Sequence, residues 1–218
     1  MNQPFIRNHQ YNWIKKQADL LLHACSTVSD PKVVESVRSN AHANVLQAFP
    51  HATEEQRKTL EAISELNTAP QFQQYLLGLE PYRTEFAHVT ESQLKKLFPK
   101  NKKLKIPDLT ATDFRQVTYL GWTDIATNKL FIVYELNGQL VGVEGKFTPA
   151  NKKSVCFVCN RHEEVALFTA IAKTKPANAS PDYYKAIGNY LCVNSEACNK
   201  NLTDVSALET YIQAVLGS

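Results

Sequence analysis

Cysteine is the residue type whose spacing points most directly to chemistry in this chain. Four of the five cysteines fall between positions 156 and 198, and Cys25 stands alone. Cys156-Phe-Val-Cys159 is a Cys-x2-Cys knuckle, a spacing that turns two thiolates toward one tetrahedral ion. Thirty-two residues then separate Cys159 from Cys192, and five more separate Cys192 from Cys198. Two close pairs joined by a longer excursion suit a zinc ion, which takes four donors at about 2.3 Å when they are thiolates. A catalytic zinc keeps one position open for water, whereas four cysteines fill every position, so the pattern favours a structural ion.

Other readings of these residues compete. A lone Cys-x2-Cys also suits buried thiols or a redox pair, but the second pair is close and no thioredoxin-like strand–helix–strand pattern surrounds the first. An odd number of cysteines fits a disulfide framework poorly, and clustering of this kind in a reducing compartment reads as metal ligation. His162, three residues after Cys159, could replace one cysteine, or it could be a solvated histidine beside Glu163 and Glu164. No second histidine stands at metalloprotease spacing from it.

The elements that must position these residues can be read from periodicity. Tyr11, Ile14, Ala18, Leu21, Leu22 and Cys25 recur at helical spacing. Asp30-Pro31 supplies a cap followed by proline in the first turn, and Val34, Val37, Ala41, Val45 and Ala48 form the next stripe. Thr53 with Gln56 makes a capping box ahead of Leu60, Ile63 and Leu66, and Pro70 opens a fourth segment carrying Phe72, Tyr75, Leu76 and Leu79. Four amphipathic helices with short connections predict an antiparallel bundle over residues 1–80.

Gly78–Tyr82 marks the expected boundary, and residues 81–218 read as a mixed α/β domain. Thr90 and Gln93 cap one short helix with Leu94, Leu97 and Phe98 on its buried face. Asn137-Gly138 between two β-rich runs in 129–146 is a strong hairpin signal, because both residues tolerate positive φ. Val117–Trp122 is a plausible third strand. Val165–Thr174 and Tyr190–Cys192 read as strands, and Asp204–Leu216 as a helix burying Leu208, Ile212 and Val215. Knuckle, strands, second cysteine pair and closing helix describe a treble-clef zinc finger over 154–218. The fold class is therefore α+β.

Totals set the remaining bounds. Hydrophobic residues make up 44% and charged residues 21% of 218, an ordinary globular composition. The apolar run from Ala18 to Ala24 is broken by Asp19 and His23, so neither a secretion signal nor a membrane span is expected and the cytoplasm is the default. No nucleophile elbow, phosphate loop or glycine-rich fingerprint is present, with only seven glycines in all, and nothing argues for an enzyme. Lys95, Lys96, Lys100, Lys102, Lys103 and Lys105 crowd into eleven residues. They suit either a patch for phosphate or an acidic protein face, or a solvated loop. Arginines for base readout are lacking there, so sequence-specific nucleic-acid recognition is not expected.

The run CFVCNR at 156–161, LFTA at 167–170, GNYLC ending at Cys192 and ACN at 197–199 resembles the zinc domain of the FusB-type elongation factor G-binding proteins, the fusidic acid resistance family. The likeness extends over the whole chain in domain order and length. It implies one structural zinc held by Cys156, Cys159, Cys192 and Cys198. It implies direct binding of elongation factor G, an indirect relation to the ribosome, and release of the factor from fusidic acid-stalled ribosomes without chemistry on the drug. With the cysteines carried over by position, the local pattern of aromatic and basic residues around them places Phe157, Lys185, Tyr190 and Tyr211 on the expected partner surface. A monomer is expected. The alternative is a ribosome- or RNA-binding zinc protein acting through the Lys95–Lys105 cluster.

Overall fold

The computed structural model describes residues 3–178, 180 and 182–217. The chain divides into two compact units, Met1–Thr84 and Glu85–Ser218. In the first, helices α1 (Asn8–Thr27), α2 (Pro31–Gln47), α3 (Glu54–Glu61) and α4 (Ala69–Leu79) follow the predicted stripes. Ile14, Leu21, Val45, Leu60 and Phe72 meet in one buried cluster. The starts are capped as the residue types require. Asp30 accepts from Lys32 N at 2.9 Å with Pro31 in the first turn. Thr53 and Gln56 exchange backbone-to-side-chain bonds at 2.9 and 3.3 Å, which satisfies donors the helix itself leaves open.

The third helix is shorter than its periodicity suggested. It stops at Glu61, and Ala62–Glu65 tighten into a 3-10 turn that still delivers Ile63 to the core. Arg38 holds this turn by donating to the carbonyls of Ser64 and Leu66, both at 2.7 Å. The unit runs on past residue 80 because Ile6 pairs with Arg83, with Thr84 N donating to Ile6 O at 2.9 Å.

The second unit is built on a five-stranded antiparallel sheet in the order of the chain. Its strands are β1 (Leu120–Asp124), β2 (Lys129–Leu136), β3 (Gln139–Val155), β4 (His162–Ile171) and β5 (Ala186–Cys192). Asn137 and Gly138 turn β2 into β3 with φ of 51° and 76°, the left-handed pair that the hairpin signal anticipates. β1 begins later than the expected Val117, because Phe114–Gln116 form a 3-10 turn capped by Asp113. β3 is a long strand whose register against β4 shifts between Pro149 and Lys153. Proline has no N–H to give the ladder, and the bulge beside it lets the strand continue to Val155, one residue before the knuckle.

The two faces of this sheet are covered differently. One face packs on α6 (Ser195–Asn201), α7 (Ser206–Leu216) and the cysteines, with Ile132, Phe168 and Leu191 in the core. The other carries α5 (Glu91–Leu97) and a smaller cluster of Leu94, Phe98, Phe131 and Val133. Phe98 reaches the sheet at Gly142, where a Cβ would stand 2.9 Å from its ring. Trp122 stacks on Phe131 beside it, with ring centroids 5.2 Å apart. Replacing Gly142 with alanine therefore overpacks this corner. The unfolding free energy should fall by about 1 kcal/mol or more, and tryptophan fluorescence should report the displaced ring cluster; an unchanged denaturation midpoint and spectrum would rule this packing out.

Candidate metal centre

Three separate segments deliver the cysteines. The knuckle follows β3 directly: Cys156 N donates to Arg161 O and Asn160 N to Cys156 O, both at 2.9 Å. Asn160 takes φ 54° to close this turn, a conformation asparagine tolerates better than most residues. Cys192 ends β5, opposite Val165 of β4. Cys198 sits in α6, a helix that periodicity did not reveal. Its start is set by Asn194, whose side chain accepts from Glu196 N and Ala197 N at 2.9 and 3.1 Å.

All four cysteines are buried, and their sulfurs lie within 4.8 Å of one another. Cys156 and Cys198 Sγ are 3.8 Å apart, and Cys159 and Cys192 Sγ are 3.6 Å apart. A tetrahedron with metal–sulfur bonds of about 2.3 Å has edges of about 3.8 Å, so the sulfurs stand where one zinc would put them. His162 is exposed at the start of β4 and is not among the clustered donors.

Proton chemistry points to the same ion. Hydrogen bonding with Cys159, then with Cys192 and Cys198, holds the Cys156 thiol below its ordinary range. The hydrogen bond with Cys156, followed by that with Cys159, pushes Cys198 up, and the same two neighbours push Cys192 up. Cys159 is lowered as well, its bond with Cys156 raising it but those with Cys192 and Cys198 lowering it, so ionisation is favoured at two of the sulfurs and opposed at the other two. A divalent cation removes that opposition and lets all four sulfurs ionise. The group this site fits is one structural Zn2+.

Two residues that the sequence analysis did not single out hold the site in place. Asn199 is buried; its side-chain oxygen accepts from Thr118 N and Tyr119 N at 2.7 and 3.1 Å, and its amide donates to Tyr119 O and Ser195 O, both at 2.9 Å. It clamps α6, and so Cys198, to the entry of β1. Tyr119 is 1% exposed. Its hydroxyl has no hydrogen-bond partner and lies near the Cys198 sulfur; burial, then the sulfur's charge, pushes its pKa well up. A metal-bound thiolate at Cys198 would offer the acceptor it lacks. An asparagine directly after a ligand cysteine was a signal for the first; nothing local marks the second.

The residues expected at a partner surface separate into two kinds. Phe157 is half-buried and its backbone N–H donates to Tyr190 O at 2.8 Å. Tyr190 is 41% exposed, and Lys185 is exposed just before β5. At roughly 3.3 Å per strand residue, Lys185 lies some 16 Å along from Tyr190. Tyr211 belongs elsewhere. It is 3% exposed, its ring lies 5.2 Å from Phe157 and 5.6 Å from Phe168, and its hydroxyl donates to Ile187 O at 3.0 Å. It is a core residue under Phe157, because it falls on the same α7 stripe as Leu208, Ile212 and Val215. Among the described residues no helix is long and apolar enough to cross a membrane.

Removing the ion by chelation should unfold the second unit while the helical unit melts as before, which calorimetry with metal analysis would resolve as one lost transition. Cys192→Ala should do the same; a variant that kept both zinc and a sharp second transition would refute the site. Tyr119→Phe should keep the fold but lower zinc affinity about tenfold in chelator competition, the usual scale for losing an outer group that supports a metal ligand.

Residues 5–87 match the family described as elongation factor G-binding protein, N-terminal, and residues 94–213 match the FBP C-terminal treble-clef zinc-finger. No curated protein matches in sequence. Among solved structures, the chain is similar to that titled "Structure of the fusidic acid resistance protein FusC", with 27% identity, a TM-score of 0.81, and 99% of this chain and 98% of that one covered. With its helical half and its zinc half matched separately and its fold matched throughout, the chain belongs to the FusB-type family of elongation factor G-binding proteins, which end in a treble-clef zinc finger.

Proposed function

We propose that this protein binds elongation factor G in the cytoplasm and promotes its release from ribosomes stalled by fusidic acid. The observation that carries this is the match of each unit to its own family model, together with a fold shared along 99% of the chain with a fusidic acid resistance protein. Cys156, Cys159, Cys192 and Cys198 hold the zinc. Phe157, Tyr190 and Lys185 offer aromatic and cationic contacts on the zinc-bearing unit, with Tyr211 supporting Phe157 from beneath. The protein acts as a monomer and as a binder, with no bond made or broken.

Release needs only differential affinity. A stalled factor is one conformation in an equilibrium, and a protein that binds the departing conformation better moves the population toward it. A surface already ordered by zinc loses little conformational entropy on binding.

Support for the RNA-binding alternative is weaker. Lys95 pairs with Glu91 at 3.4 Å and Lys105 with Asp124 at 3.9 Å, so the lysine run is partly spent within the fold. Two measurements test the proposal. The chain should co-elute with purified elongation factor G at micromolar concentration, and binding should survive a rise in salt that would strip a phosphate-dominated complex by orders of magnitude. Added to fusidic acid-stalled ribosomes, it should shift the factor into the unbound fraction; complex formation without that shift would leave binding intact and defeat release.

A further inference from the structure

The half of the sheet that α5 leaves bare is neither flat nor neutral. Beyond the Phe98 cluster, the outer face continues into a groove of about 1270 Å³ within the second unit. It is floored by aliphatic positions of β4, β5 and the end of α7: Ile171, Ala186 and Val215. Ile171 is 53% exposed and Tyr184, at the rim, 70%. Lys96, Lys100, Lys129, Lys146 and Lys173 also line it, against a single acid, Glu144. That acid is already engaged by Lys129 at 3.0 Å and by Asn101. Among the described residues Lys96, Lys100, Lys146 and Lys173 have no carboxylate partner. Lysines from α5 and its exit, from β2, from β3 and from the exit of β4 surround this apolar floor.

We propose that this groove docks an acidic polypeptide segment bearing aliphatic side chains. Lysines lining one groove without carboxylate partners make it electropositive, and an anionic occupant complements that charge. The groove has room for an extended stretch of chain, beyond the 300–1000 Å³ usual for small-molecule sites. The floor argues against a nucleic-acid strand, which would call for stacking platforms; here the exposed aromatic is Tyr184 alone among the named lining residues, and the cations are lysines, point charges without arginine's planar fork. Carboxylates to the rim and an aliphatic side chain to Ile171 satisfy both parts at once. The inference rests on the proposed function in one respect: the segment belongs to elongation factor G.

The test compares the full-length zinc-loaded chain with three variants by calorimetric titration of purified elongation factor G at low and high salt. Lys146→Glu/Lys173→Glu should weaken binding about tenfold or more at low salt and flatten the salt dependence, as reversal of interfacial charges does. Ile171→Ser should weaken it severalfold at both salts. Lys102→Glu/Lys103→Glu, an equal charge change outside the groove, should bind within twofold of the parent. All three sites are exposed, so zinc content and melting should match the parent. Parent-like binding by the groove double variant would overturn the groove while leaving the proposed partner standing. No binding by the parent chain would overturn the partner itself. Loss of affinity for a single-stranded oligonucleotide, with affinity for the factor unchanged, would assign the groove to nucleic acid and also overturn the proposal.

Discussion

Four sulfur atoms buried within 4.8 Å of one another cannot all be thiolates unless a cation sits among them. Desolvation and mutual repulsion each oppose ionisation there, and the opposed shifts of Cys156 and Cys198 express that conflict. A zinc ion resolves it and, in doing so, ties together the knuckle after β3, the end of β5 and the short helix α6. Binding free energy for such an ion is on the order of 10 kcal/mol or more, comparable with the whole stability of a typical domain. The second unit is therefore a metal-dependent fold. Its α6, seven residues long, is too short to persist alone and is kept by Cys198 on one side and Asn199 on the other.

The surface above the metal inherits this rigidity. Phe157 belongs to the knuckle itself, rests on Tyr211, and donates its N–H to Tyr190 of β5. β5 is the edge of the sheet, and its outward-facing Tyr190 carbonyl is taken by Phe157 N. The side chains exposed at this end of the sheet include Tyr190 and Lys185.

Much of this was legible because the signals were local. Cysteine type and spacing define a donor set without knowledge of the fold, and Asn137-Gly138, Asp30-Pro31 and the Thr-x-x-Gln boxes act within four residues. What stayed hidden depended on partners distant in sequence. Tyr119 and Asn199 lie 80 residues apart and acquire meaning only where β1 meets α6. The β3 bulge follows from a proline whose consequence depends on which strand lies beside it. Tyr211 is a different case: its place on the 208–212–215 stripe was readable, and its aromatic character was given more weight than its phase. The helix α6 carried a cap at Asn194 but too few apolar residues to show a period.

The apolar-floored groove and the aromatic knuckle lie on one rigid unit, and that bears on how a binder could release a trapped factor. Uniform tightening against every conformation shifts no equilibrium, however strong the binding. Selectivity requires contacts that exist together in one conformation of the partner and not in another. Two patches on one sheet, fixed at a constant separation by strands and by the metal, discriminate in this way: a partner whose surfaces are spaced to meet both gains both, and one spaced otherwise gains only one. A flexible second unit would follow the partner through its changes and lose that discrimination. The thiolate cluster thus does more than keep the unit folded, because it holds constant the distance on which differential affinity depends.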